Sequence, residues 1–481
     1  METKFLRDYQ YELSKKGVEI LSQYHVLYLM MQVRTGKTAV SMEICKKMKY
    51  KQVLFVTKKK AIKNIYQDYE DFQYNYFFSL KVINHEQLQQ QATSGKEPEI
   101  IIMDEAHVLG SFPKPNKLAQ LYKIVYGNKP VIFLSGTPHP ESISQIFHAF
   151  SICRFHPWAR TDFYKWFKQM GCVKLEVDFG YGQMWNYKNT PAEIKKWIIH
   201  QRRMSKEEKE YEEMLLIKIC QDSEEKIRKE IEPYCLNYSQ NQAGFKNIID
   251  EEIISVPMDD QTQEIIMALK TEHEYNLNVD QHGIDAQIIG TTPALRLMKI
   301  HQVSSGTVIV DQVRNGVVRN FPFIFNLDKA KKIEERFSEK KIAIFYKYQA
   351  EYNLLFSYFK GRITNDLETF NNDPKMWMAL QLKSGSQGIS LRKADCLVYY
   401  NIDFSALVYL QSRDRMTTSD SLNSKIYFIF RTGGIERYIY QSVTDKMSYT
   451  TRLFLKDYDE QNPIHRSKNY RPGRKTYHGE E

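Results

Sequence analysis

The chain has 481 residues, too many for one hydrophobic core and enough for two or three domains. Hydrophobic residues at 42%, charged residues at 26% and aromatics at 13% exclude a largely disordered chain and a disulfide-stapled mini-protein. Lys and Arg number 68 against 58 acidic residues, and the net +10 permits a polyanionic partner without requiring one. Arg7 and Asp8 precede any apolar stretch, and no later run approaches the roughly 20 residues that span a bilayer, so neither secretion nor membrane insertion is expected. Six cysteines lie scattered, with no CxxC pair and no histidines at zinc-ligand spacing, as reduced cytosolic thiols would.

Residues 1–150 alternate short apolar runs with helical patterns. Strands are predicted at HVLYLMM, QVLFVT, PEIIIMDE and PVIFLSGT, apolar on consecutive positions as in strands buried on both faces. SMEICKKMKY and KKKAIKNIYQDYEDF carry helix-period apolar residues among charges. Over 151–320 the pattern changes to a largely helical accessory or insertion region: ARTDFYKWFKQMG and the long run from Met204 read as helices, and VKLEVDFGYGQMWNY as a hairpin or loop. A second α/β pattern fills 321–455, with a helix at NLDKAKKIEERFSEK and strands at KKIAIFYKY, MWMALQLKS, DCLVYYNI and KIYFIFRT. Residues 456–481 form a basic, apolar-poor tail expected to be flexible. The expected fold class is α/β, with two parallel-sheet domains and a helical region between them.

Two features carry chemistry. Gln32-Val33-Arg34-Thr35-Gly36-Lys37-Thr38-Ala39 follows a predicted strand and opens a predicted helix. Backbone N–H groups at such a turn form an anion cradle, Lys37 can reach terminal phosphates, and the Thr38 hydroxyl can ligate magnesium. Met31 stands where the glycine of the full GxxxxGK[ST] form would be, and a lone GKT also fits an ordinary helix start. Asp104 and Glu105 decide between these readings, because two carboxylates ending an apolar strand are costly unless they meet a cation or an acting water. Asp104 suits magnesium, and Glu105 suits the base or orienter of an attacking water.

With Asp104-Glu105-Ala106-His107, the chain resembles superfamily 2 helicases and translocases with a DEAH-type box, closest to the Swi/Snf-like branch and its compact bacteriophage relatives. Leu6-Arg7-Asp8-Tyr9-Gln10 resembles the element whose glutamine reads adenine, which makes Gln10 the adenine contact. Ser135-Gly136-Thr137 resembles the motif coupling hydrolysis to nucleic-acid movement. Val53–Lys58, with Lys63 and Asn64, resembles the first nucleic-acid-contacting segment, and Ile83-Asn84-His85-Glu86 the next. Ile342–Tyr348 resembles the first strand of a second RecA-like domain, Leu382–Leu391 resembles motif V, and Gln411-Ser412-Arg413-Asp414-Arg415 resembles motif VI. Gly434-Ile435-Glu436 resembles the closing segment of the remodeller branch. Thr418 replaces the usual second arginine of motif VI, so the arginine acting on the γ-phosphate is either Arg415 or Arg413, and Arg34 replaces a common glycine of the phosphate loop.

The resemblance implies two RecA-like lobes with ATP and Mg2+ as cofactors, and a cytoplasmic ATPase, in the host cytoplasm if viral. Its partner would be single-stranded, duplex or branched DNA, together with replication or recombination proteins and no membrane. Thr57, Lys58, Ser384, Gly385, Ser386 and Gly388 are the candidate phosphate-backbone contacts, each balanced by an ordinary solvated-loop reading. Arg466, Lys468, Arg471, Arg474 and Lys475, interleaved with Tyr470 and Tyr477, fit a DNA arm and a disordered basic end equally well. For Trp158, Trp166 and Trp185, core packing outweighs base stacking. Three functions follow: a DNA helicase or translocase, a duplex-tracking motor that does not unwind, and an ATP-gated loading factor with negligible turnover.

Overall fold

The computed structural model describes residues 4–32, 34–88, 97–136, 138–139, 142–178, 183–201, 203–244, 248–279, 284–314, 317–385, 391–413, 415 and 423–445. Two compact units divide the chain, one running through Ile248 and the other from Ile249 onward.

The first unit is built on a parallel sheet of β1 (Val26–Met31), β2 (Gln52–Thr57), β3 (Ser79–Asn84), β4 (Ile100–Asp104), β5 (Val131–Leu134) and β8 (Cys235–Tyr238). Their spatial order is β3-β2-β4-β5-β1-β8, and each neighbouring pair is parallel. Consecutive apolar residues are required because each face meets its own core. Val26 and Tyr28 of β1 enter one core with Trp158 and Trp166. Leu27, Leu29 and Met31 enter the other with Val40 and Ile44 of the helix Lys37–Lys47. Trp158 and Trp166 are thus core residues, whereas Trp185 is 47% exposed with the Lys174 ammonium 4.1 Å from its ring. VKLEVDFGYGQMWNY forms an antiparallel pair, β6 (Leu175–Asp178) and β7 (Gln183–Asn186).

The second unit carries the other sheet, β9 (Ile248–Val256), β14 (Ile342–Tyr346), β15 (Ile363–Thr364), β16 (Trp377–Gln381), β17 (Cys396–Tyr399) and β18 (Asn423–Arg431), in the order β15-β16-β14-β17-β18-β9. The pairs β15–β16, β16–β14, β14–β17 and β17–β18 are parallel. The α/β class with two parallel sheets therefore holds.

The region 151–320 differs from expectation. It contains the helices Phe163–Met170, Pro191–Ile199, Lys206–Ile231, Asp260–Thr271 and Pro293–Ser304. It also supplies β8 to the first sheet, β9 to the second and most of an antiparallel sheet, β10 (Glu274–Val279), β11 (Ile284–Ile289), β12 (Thr307–Arg314) and β13 (Val317–Ile324). A largely helical region is corrected to a mixed one shared by both units. The reason is local: β8 is only four residues long, and strands such as EYNLNV bury one face, so they lack the continuous apolar run that marks a central strand. Among the described residues no helix is long and apolar enough to cross a membrane. Residues 456–481 and Thr418 lie outside the described residues.

One ion pair fixes the interior of the second unit. Lys329 Nζ lies 2.7 Å from Glu436 Oε1, with both side chains fully buried, and also donates to the Tyr400 carbonyl at 3.1 Å. Removing one partner strands the other charge, so Glu436→Ala is expected to cost about 3–5 kcal/mol in urea denaturation. The double change Lys329→Met with Glu436→Leu should restore most of that loss.

Candidate nucleotide-binding site

The phosphate loop runs from the C-terminal end of β1 into the helix Lys37–Lys47. Gly36 caps that helix with φ 87°, a left-handed conformation that glycine adopts without a Cβ penalty. Arg34 takes φ 66°, so this chain keeps a left-handed turn with a non-glycine residue, at a cost of about 1–2 kcal/mol. Surrounding contacts hold the loop. Thr35 is fully buried, its Oγ1 donates to the Gln32 carbonyl at 2.8 Å, and its own carbonyl accepts from Tyr9 OH at 3.1 Å and Gln10 Nε2 at 3.2 Å.

Gln10 supports the loop. Its Oε1 accepts the Arg7 N–H at 3.0 Å while its amide nitrogen holds Thr35, and a Cβ added to Gly36 would fall 2.0 Å from that nitrogen. Lys37 Nζ donates to the Met31 carbonyl at 2.9 Å and the Gln32 carbonyl at 3.2 Å, folding its ammonium back over the loop. Thr38 is half-buried in the first turn of the helix, and Ala39 is buried.

Asp104 ends β4. Its Oδ2 accepts from Thr57 Oγ1 at 2.7 Å and its Oδ1 from the Glu105 N–H at 3.0 Å. Burial first, then the neighbouring Glu105 carboxylate, pushes Asp104 up to about 6, against the opposing Thr57 hydroxyl and Lys37 ammonium. Glu105 turns sharply out of the strand with φ 54°. His107 Nδ1 lies 3.3 Å from Glu105 Oε2 and 3.2 Å from Ser135 Oγ. Burial, then the charge of Lys58, holds His107 down to about 3, so at neutral pH the imidazole beside Glu105 is uncharged.

Thr57 was a candidate phosphate-backbone contact. It is fully buried with its hydroxyl committed to Asp104, which corrects that reading to a support for the carboxylate. Lys58, the next residue, is half-buried at the end of β2. Ser135 is buried with its N–H on the Leu29 carbonyl at 3.3 Å, and Gly136 follows it half-buried; Thr137 lies outside the described residues. In the second unit Ser384 and Gly385 fall in the short helix Leu382–Gly385, and Ser386 and Gly388 lie outside the described residues. Gln411 is buried at the end of the helix Ala406–Arg413, and its carbonyl accepts from Arg415 Nε at 3.1 Å. Arg415 is buried, while Arg413 Nη1 lies 3.8 Å from Glu251 Oε1.

Sequence reading missed the support from β8. Tyr238 stacks on Tyr9 with ring centroids 4.8 Å apart, its carbonyl accepts the Gln32 N–H at 2.9 Å, and the Gln240 N–H donates to Gln32 Oε1 at 2.6 Å. No motif marks these residues; only the strand pairing reveals them.

The donor set fits a nucleotide phosphate with a divalent cation. A backbone cradle at a helix N-terminus, an adjacent ammonium, and a carboxylate disfavoured by burial beside a second carboxylate are the groups such a pair satisfies. A family model described as Type III restriction enzyme, res subunit, matches residues 3–139, a span holding the phosphate loop, Asp104, Glu105 and Ser135. No curated protein matches this chain. Among solved structures, the Sulfolobus solfataricus SWI2/SNF2 ATPase core in complex with dsDNA is similar at 14% identity, over 96% of this chain and 94% of that one, with a TM-score of 0.38.

The geometry separates two roles for Thr57. A hydrogen bond to a charged group is worth about 1.5–3 kcal/mol, so Thr57→Val should lower kcat/KM for ATP roughly tenfold to a hundredfold in the absence of nucleic acid. Thr57→Ser should stay near wild type. A backbone contact would instead leave the polymer-free rate untouched.

Proposed function

We propose that the chain is an ATP hydrolase that couples turnover to movement along DNA, as a helicase or translocase. The observation that carries this reading is the gathering of Lys37, Asp104, Glu105 and Ser135 at the C-terminal edge of one parallel sheet, where open α/β sheets bind ligands. Lys37 and the loop N–H groups hold the phosphates, Thr38 and Asp104 hold magnesium, and Glu105 orients the attacking water and receives its proton. Magnesium supplies charge neutralisation on the phosphates when bound. Gln10 acts through the loop as well as in reading the base.

DNA as the polymer is supported by the sequence resemblance, by the net +10 charge and by the match to a restriction-enzyme family. Lys58 and the segment Ser384–Gly388 are the proposed backbone contacts, and Ser135 to Thr137 the coupling segment. A second reading, a motor that tracks duplex without unwinding it, rests on the sequence resemblance. Service in replication or recombination, in a bacteriophage, rests on the sequence resemblance alone.

ATPase rates with no polymer, single-stranded DNA, duplex, forked DNA and RNA test the proposal. DNA should stimulate turnover by an order of magnitude or more, and Lys37→Ala and Glu105→Gln should abolish it. Absence of turnover on every polymer would leave a loading factor. Strand displacement compared with triplex displacement then divides unwinding from tracking.

The sequence resemblance places the first arginine of motif VI at Arg415, and we assign the turnover-supporting role to it. Arg415→Ala should lower kcat by at least tenfold more than Arg413→Ala, with nucleotide binding retained in both. The reverse order would overturn that assignment.

A further inference from the structure

Gln32, the residue that follows β1, joins the hydrogen bonds of the phosphate loop to those of β8. Its carbonyl accepts from Thr35 Oγ1 at 2.8 Å, from the Thr35 N–H at 3.4 Å and from Lys37 Nζ at 3.2 Å. Its N–H donates to the Tyr238 carbonyl at 2.9 Å, and its Oε1 accepts the Gln240 N–H at 2.6 Å. Gln32 is exposed, so these bonds rather than burial set its place.

The turn that presents the Gln240 N–H is itself fixed. The Ser239 N–H donates to Gln242 Oε1 at 2.8 Å, and the Gln242 N–H returns to Ser239 Oγ at 3.2 Å. The Ala243 N–H closes on the Ser239 carbonyl at 3.2 Å, and Tyr238 OH donates to the Gln242 carbonyl at 3.0 Å. This turn follows β8, which follows the helix Lys206–Ile231. Lys37 has to leave the Met31 and Gln32 carbonyls to reach a phosphate. In an unrestrained loop such a carbonyl swings with the ammonium it binds, and the swing has to be reversed before the N–H groups face the anion. Gln32 is held at its N–H and at its side chain, and Thr35 keeps its carbonyl engaged once the ammonium departs. The cradle therefore keeps one shape throughout, and its ordering is completed in folding rather than in binding.

We propose that Gln32 is a positioning residue for the nucleotide phosphates, and that the turn after β8 sets it through the Gln240 N–H. Chain 208 positions downstream thereby determines nucleotide affinity. The proposal rests on the ATP-binding reading above and deepens it, by naming what holds the cradle ready. The Gln32 side chain acts through the loop and touches no phosphate.

Two substitutions break the same hydrogen bond from opposite ends. Gln32→Leu removes the acceptor, and Gln240→Pro removes the donor at the second position of a turn, which suits proline. The measurements are the dissociation constant of ADP with Mg2+ by titration calorimetry and kcat at saturating ATP, for the full chain, each variant and the double variant. A neutral hydrogen bond is worth about threefold to tenfold in an equilibrium constant, so each single variant should weaken ADP binding by about that factor. kcat should stay within about twofold of wild type, and the double variant should bind no more weakly than the weaker single one, because both remove one interaction. Unchanged ADP affinity in either folded variant overturns the inference, and Gln32→Leu alone decides it if Gln240→Pro fails to fold. Losses that multiply in the double variant overturn the route through this hydrogen bond. A kcat that falls in step with affinity overturns the inference in favour of general damage to the loop. If wild type itself binds no ADP, the ATP-binding reading falls, and this inference with it.

Discussion

A carboxylate at the end of a strand buried on both faces is opposed by the interior around it, and the site in the first unit is arranged about that opposition. Asp104 is pushed up to about 6 by burial and by Glu105, and three groups resist the push: Thr57 from β2, Lys37 from the phosphate loop and the N–H of the next residue. None could be removed without moving Asp104 toward its neutral form. Parallel register brings them together, because adjacent strands end in step and place their last residues side by side. Glu105 leaves the strand through a left-handed turn, which separates its carboxylate from that of Asp104 and directs it to His107.

The phosphate loop depends on chain far away in sequence. Gln32 is gripped by the Tyr238 carbonyl and the Gln240 N–H, and Tyr9 lies between the Tyr238 ring and the Thr35 carbonyl. A left-handed Arg34 needs such support, since its conformation is intrinsically unfavourable and persists only where neighbours over-determine it. The chain therefore travels through the helices of residues 163–231 and returns β8 to the edge of the sheet beside β1. What reads along the sequence as accessory material completes the loop's surroundings.

Much of the fold and the centre of the site were legible in the sequence, for a common physical reason. Strands such as Leu27–Leu29 and Ile100–Met103 are apolar on every position because two cores demand it, and Gly36-Lys37-Thr38 and Asp104-Glu105 place charge where burial would otherwise forbid it. Residues whose role comes from pairing were not legible. Thr57 reads as an exposed strand end until β4 is placed next to it, and the hold of the Gln10 amide on the Thr35 carbonyl shows only once the loop is folded against the first helix. The antiparallel sheet β10–β13 escaped for another reason: a strand with one wet face carries polar residues at alternate positions, and Glu274–Val279 has no run long enough to declare itself.

The two ends of the segment that carries that antiparallel sheet meet at one side chain. Arg431, at the end of β18 and fully buried, donates to the Pro257 carbonyl at 2.6 Å and to Asn326 Oδ1, with Asp259 3.5 Å and Asp328 3.4 Å away. Pro257 and Asp259 stand where the chain leaves β9 toward β10, and Asn326 and Asp328 stand where it comes back from β13 toward β14. The two ends of a long excursion thus close on a single guanidinium. Asn326 Nδ2 reinforces the closure by donating to Asp259 at 2.8 Å and Asp328 at 2.9 Å. A guanidinium suits this position because its planar donors satisfy several acceptors at once while its charge meets two carboxylates, which a lysine's single ammonium could not span. Loop-closure entropy grows only slowly with length, so pinning both ends lets a segment of this size be inserted without loosening the parallel sheet that carries it.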